Sequence, residues 1–141
     1  MGRNKYVRQK PLTPAEQAYF LKLQFPGFRV LTARNELRCV GALQPTATSE
    51  VYKIELGYKV GLRPQVRVLQ PPLRLAPGKT KLPHVFDRGD LCLHLRDDWR
   101  PYQRISEFII PWISLWLVFY EFWALTGEWL GGGHETGAGG K

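Results

Sequence analysis

Cysteine is scarce in this chain, with only Cys39 and Cys92 among 141 residues. Two are too few for the cross-linked frameworks by which small secreted domains replace a core. The three histidines, His84, His94 and His134, fall at no spacing that would gather them with the cysteines around a metal ion. No metal and no other cofactor is therefore expected. A phosphate-cradling glycine loop is missing too, because the tail glycines follow a helix instead of joining a strand to one. The start, Met1-Gly2-Arg3-Asn4-Lys5, has no apolar run behind its positive charges and reads as no signal peptide. Long hydrophobic runs are also lacking. The uncharged stretch from Phe108 to Tyr120 has 13 residues, against roughly 20 for a spanning helix. Bounded by Glu107 and Glu121 and interrupted by Pro111, it reads as a core helix, and no membrane partner is expected.

Acidic residues are thin in the first part. Residues 1–83 carry 15 Lys and Arg against 4 Asp and Glu, a net of +11, whereas residues 84–141 carry 5 against 8, a net of −3. Nucleic-acid binders concentrate Lys and Arg with aromatics on one element. Here the charges are spread singly along alternating segments, which favours a solvated or protein-docking basic face and no nucleic acid. The hydrophobic fraction of 44% and aromatic fraction of 13% point to a packed globule. One domain over residues 1–130 is expected, followed by a Gly-rich flexible tail over 131–141 with nothing to bury. The terminal Gly139-Gly140 pair is followed by Lys141 and reads as part of that linker.

The pattern predicts an α+β fold. Thr13-Pro14-Ala15-Glu16 starts a helix, with Thr13 as cap, Glu16 reaching back to it and Pro14 first, and Pro26-Gly27 ends it after Phe25. Four strands follow. Arg29–Ala33 turns at Arg34-Asn35-Glu36, and then Leu37, Cys39, Gly41 and Leu43 alternate with Arg38, Val40 and Ala42. Tyr52, Ile54, Leu56 and Tyr58 form one face of the third strand, and Val66-Arg67-Val68-Leu69 makes the fourth. Period-two alternation at this spacing reads as an antiparallel meander with one buried face. The proline-rich stretch from Pro71 to Pro83 reaches Cys92 without regular structure. A second helix, Pro111 to Thr126, starts on its proline and stops at Gly127. Being apolar nearly all round, it must be wrapped by the sheet or by a partner. Cys39 shares a face with Leu37 and Leu43 and reads as core.

The segment from Leu82 to Leu93, with Trp99-Arg100-Pro101 after it, carries the chemistry. Pro83 precedes His84, Cys92 lies eight residues after His84, and Gly89 lies three before Cys92. This spacing resembles the active-site stretch of ubiquitin-conjugating enzymes, which reads His-Pro-Asn, a Gly three before a Cys, then Leu and Trp-Ser-Pro. His84 stands where that family has Asn. The resemblance covers residues 14–127, and Leu62-Arg63-Pro64-Gln65-Val66-Arg67 echoes the family's proline-containing fourth strand. The loop before His84 is longer than usual, and the last two family helices are missing. Within the family, Leu82-Pro83-His84-Val85, Ile110-Pro111-Trp112 and the Gly127–Gly133 ending resemble the short conjugating-enzyme-like protein of bacterial type II CBASS anti-phage operons.

The resemblance implies a UBC-like fold and a thioester on Cys92. Thiolate is both nucleophile and leaving group, which hydroxyl is not. An amine attacking the thioester builds an oxyanion, and a donor beside it is worth roughly 2.7–4 kcal/mol. His84 is at the family's donor position and, unlike Asn, becomes charged near neutral pH; donor, base toward the amine and loop-structural roles all stay open. Pro83, Gly89, Trp99 and Pro101 are expected to support the loop and groove, with plain packing equally open for Trp99 and Pro101. His94 is a possible auxiliary residue on the Cys92 side. Asp97 and Asp98 read as a solvated turn. The implied partners are a nucleotidyltransferase of the cGAS/DncV-like type, whose C-terminus is carried, and a protein lysine acceptor. A reducing cytoplasm suits such a thiol. The rival reading is a binding module of the same fold without chemistry.

Overall fold

The computed structural model describes residues 9–93 and 99–131. Helix α1 (Pro14–Gln24) opens on the anticipated capping box: Glu16 N donates to Thr13 Oγ1 at 3.0 Å and Thr13 N to Glu16 Oε1 at 2.9 Å. Strands β1 (Arg29–Ala33), β2 (Glu36–Leu43), β3 (Tyr52–Lys59) and β4 (Gln65–Gln70) form one antiparallel sheet in sequence order. Helix α2 (Ile105–Thr126) completes the set. The α+β, UBC-like layout read from the sequence is the one observed.

Alternation builds the core. Leu37, Cys39, Gly41 and Leu43 on β2 and Tyr52, Ile54, Leu56 and Tyr58 on β3 are buried, while Arg38, Ala42, Lys53 and Lys59 face outward. Phe28 lies where a side chain at position 41 would go, so a Cβ at Gly41 would run into its ring. Both helices share the sheet's inner face. Tyr52 meets Tyr120 edge to face at 6.3 Å and donates its hydroxyl to Glu121 Oε2 at 2.8 Å, with Ser49 donating to the other oxygen. Burial and the neighbouring Glu121 carboxylate raise the Tyr52 phenol well above its ordinary value.

Helix α2 departs from its expected bounds. It begins at Ile105, not Pro111, and Pro111 lies inside it. A proline inside a helix removes one hydrogen bond, and Pro111 sits on the exposed side, where water can take over the freed carbonyl. The true start is set by a distant residue. Gln17 of α1, fully buried, accepts from Ile105 N at 2.9 Å through Oε1 and donates Nε2 to Gln103 O at 2.8 Å. No short-range rule places such a clamp. Among the described residues no helix follows α2.

Replacing Gln17 by Ala should strip the buried Ile105 amide of its acceptor and lower stability by about 1–3 kcal/mol. Urea unfolding of the variant, with an unchanged slope and an earlier midpoint, checks this.

Candidate functional site

The stretch expected to be irregular contains a short hairpin over residues 84–92. Val85 pairs antiparallel with Leu91, Cys92 N donates to His84 O at 2.9 Å, and Phe86 N donates to Asp90 O at 2.8 Å. Its loop is Asp87-Arg88-Gly89: Gly89 N donates to Phe86 O at 2.8 Å, and Gly89 takes φ 92°. That is the three-residue loop with glycine in the left-handed position. Gly89 therefore matters by closing the turn, three residues from the thiol. The hairpin is fastened to the free edge of β4 by Leu91 N donating to Val66 O at 2.8 Å. A single bridge leaves no alternating run to read, which is why the sequence pattern did not signal it.

Two residues outside the expected set lock the hairpin. Asp90 is 3% exposed and pairs with Arg63 at 3.1 Å, and the Arg63 guanidinium lies 4.1 Å over the Phe86 ring. Arg63 comes from the loop ahead of β4, in the segment whose Arg-Pro pattern marked the family resemblance. The chemical clue was available in Asp90, a carboxylate directly before two apolar-flanked positions, but its partner lies 27 residues away.

His84 is half-buried with φ 51°. A left-handed backbone is tolerated by Asn and His far better than by most residues, which gives a conformational reason for either residue at this position. Its carbonyl accepts both Cys92 N and Trp116 Nε1, the latter at 3.1 Å from α2. Its ring lies on Trp129, centroids 4.7 Å apart and planes 32° from parallel. So the hairpin base is held by β4 on one side and by α2 on the other. Cys92 sits directly across the pair from His84, half-exposed between buried Leu91 and Leu93. The other thiol, Cys39, is buried on β2, and burial pushes its pKa up to about 12. Of the two, only Cys92 is open to a partner.

The remaining expected residues divide. Pro83 is half-buried beside His84. Trp99 is buried and packs edge to face on Tyr58 at 5.9 Å, and the Pro101 carbonyl accepts Leu12 N at 3.0 Å. Both tie the chain after the site to the sheet and to the lead-in of α1. His94, Asp97, Asp98 and the tail from 132 onward lie outside the described residues. Beside the hairpin base is an apolar cleft of about 180 Å³, walled by Leu93, Trp112, Leu115, Trp116, Phe119 and Trp129. Trp116 and Trp129 thus serve the cleft and His84 at once. Among the described residues no group of His, Cys, Asp and Glu could hold a metal ion.

The family profile described as Type II CBASS E2 protein matches residues 17–136, from α1 through the hairpin and past α2. The chain belongs to this family. No curated protein matches it. In this E2 family member the matched span includes every element that holds the hairpin: α1, the four strands, the Arg63 loop and α2.

Native protein treated with iodoacetamide should gain one carbamidomethyl group, on Cys92, with Cys39 modified only after unfolding; peptide mass spectrometry reads this. Arg63→Ala should leave Asp90 buried without its partner. Because Arg63 is itself 38% exposed, the loss is expected at about 1–2 kcal/mol, below the 3–5 of a fully buried pair, by thermal or urea unfolding.

Proposed function

We propose that this type II CBASS E2 protein carries the C-terminus of a partner protein as a thioester on Cys92 and passes it to an amine. The observation that supports this most is the placement of a half-exposed thiol directly across a backbone pair from His84, while the other cysteine is buried. The Cys92 thiolate attacks an activated C-terminal carboxyl, the activating group leaves, and a thioester forms. A lysine amine then attacks the thioester carbonyl, its proton is lost, and the thiolate departs, leaving an amide. By the family's pattern His84 supplies a donor to the oxyanion or a base toward the amine, and the hairpin, with Pro83 ahead of it and Gly89 in its loop, presents the sulfur. Trp99 and Pro101 hold the following segment, with His94 as auxiliary.

The type II CBASS context supports a nucleotidyltransferase of the cGAS/DncV-like type as the carried partner and a protein lysine as acceptor, so that transfer primes antiviral cyclic-nucleotide signalling. A cytoplasmic setting suits the reduced thiol. The reading takes residues 1–130 as one domain and 131–141 as a linker.

A second reading, a binding module of the same fold without chemistry, draws on one observation: His84 is engaged through its carbonyl by Trp116 and through its ring by Trp129. Cys92→Ser separates the two. Mixed with a cGAS/DncV-like nucleotidyltransferase whose C-terminal carboxyl is supplied as an activated thioester, this variant should displace the thiol and trap an oxyester, stable to thiol reductant and cleaved by hydroxide, whereas pure binding yields no covalent band. His84→Asn should keep the fold, because asparagine tolerates the same backbone. His84→Ala should slow aminolysis of the thioester by about 100-fold or more if His84 supplies the oxyanion donor, the usual loss on removing one; unchanged aminolysis assigns it a loop role.

A further inference from the structure

After α2 the chain turns back on the helix. Gly127 takes φ 82° and its N–H donates to Trp123 O at 2.7 Å, and Glu128 N donates to Thr126 Oγ1 at 3.0 Å. Gly131 then lies so close over Trp129 and Phe119 that a Cβ there would run into both rings. This strap sets the Trp129 indole among Trp116 at 5.5 Å, Phe119 at 5.7 Å and the His84 ring at 4.7 Å. We infer that Trp129 is a positioning residue of the candidate site: its indole face holds the His84 imidazole opposite Cys92 and favours the charged, proton-donating form of that ring.

Three observations carry it. The His84 and Trp129 planes are only 32° from parallel, so the imidazole lies along the indole face and not against its edge. A cation within about 6 Å of a ring centroid is attracted to that face, and tryptophan holds it best. The Trp129 Nε1–H, moreover, is buried and has no hydrogen-bond partner among the described residues. A phenyl ring would fill the space without stranding a donor, so packing alone gives no reason for an indole here. Finally, the His84 backbone is already pinned, because its carbonyl accepts both Cys92 N and Trp116 Nε1. Only the side-chain torsions are left for Trp129 to fix. Residues opposite one another in such a pair set their Cβ atoms about 4.5–5.5 Å apart, which puts Cys92 within reach of the imidazole.

Charge alone does not favour a cation at His84. The acids of α2 are Glu107, paired with Arg104, and Glu121, held by Ser49 and Tyr52. Arg63 and Arg67 stand at the far end of the hairpin, at Asp90 and Gly89, with exposed Asp87 in the loop. Lys79 and Lys81 precede His84 on its own segment, and Lys79 comes up against Gly127 of the strap. Both oppose a further positive charge. The exception is Glu128, an exposed acid beside Trp129. Cys92, across the pair, is the group on which the cation acts. The inference rests on the proposed pairing of His84 with Cys92 and selects the donor role over the base.

Proton NMR of the His84 ring, assigned by the resonance that His84→Asn removes, gives its titration midpoint in the full chain. The midpoint should fall by about 0.4–1.5 pH units in Trp129→Leu, the span of a lost cation–π contact. Trp129→Phe, which keeps a weaker ring face, should lower it by less, and Glu128→Gln should move it less than Trp129→Leu does. Iodoacetamide capture of Cys92 at about pH 6.5, near the ordinary histidine value, should slow several-fold in Trp129→Leu. The same change made on His84→Asn should leave that variant's rate unaltered. Lost thermal stability with an unmoved midpoint assigns Trp129 to packing and overturns the inference. So does Phe as damaging as Leu, Glu128→Gln as effective as Trp129→Leu, or slowed capture that persists on His84→Asn. Where Trp129→Leu unfolds, Trp129→Phe decides, and an unmoved midpoint there overturns it. These shifts without any thioester transfer would strike the proposed reaction and leave the positioning role standing.

Discussion

Burial of one face of α2 against the alternating inner face of β2 and β3 orders most of this molecule. Those rows and Ile109, Ile113, Leu117 and Tyr120 of α2 belong to one buried cluster, with Tyr120 edge to face on Tyr52. The helix can then reach sideways. From its buried side Trp116 extends an indole hydrogen bond to the His84 carbonyl, and Tyr120 accepts Arg74 N at 2.7 Å from the proline-rich segment. The segment that carries Cys92 has little regular structure of its own, so its position is inherited from helix and sheet. A small loosening of α2 would be felt first at the hairpin base.

The hairpin shows how a nearly structureless stretch is held while Cys92 itself stays only partly buried. Backbone pairing at Val85 and Leu91, one bond to β4, the Arg63–Asp90 pair and the Trp116 indole act from four directions. None is strong alone, and their combination leaves the thiol half-open to solvent. That arrangement suits a cysteine whose proposed substrates are two proteins, because neither could enter a closed pocket. It also contrasts with Cys39, which is buried on β2 and whose thiol is kept protonated there by burial.

Among the described residues, α2 keeps Leu115, Phe122 and Leu125 exposed on the side away from its buried face. A helix apolar nearly all round is ordinarily a buried one, and the sheet covers only half of this one. Half-buried Phe108, Trp112 and Phe119 lie beside these, and Trp112 and Phe119 continue into the wall of the cleft next to the site. Trp112, Leu115 and Phe119 share the cleft wall with Trp116 and Trp129, which hold His84.

Sequence by itself determined whatever depends on near neighbours. The capping box at Thr13 and Glu16, the strand bounds of β1, the inward rows of β2 and β3, and the stop of α2 at Gly127 follow from local rules of period, cap and turn. The Pro–His–Gly–Cys spacing was likewise visible, and it carried the family. Only the tertiary structure decided what depends on residues far apart in the chain. Gln17 sets where α2 begins, 88 residues away; Arg63 locks Asp90; Trp116 and Trp129 hold His84. It also decided which side of α2 remains open. The reason is physical: local propensities act over one or two turns, whereas a buried hydrogen bond or a packed ring can be satisfied by any part of the chain that the fold brings within reach.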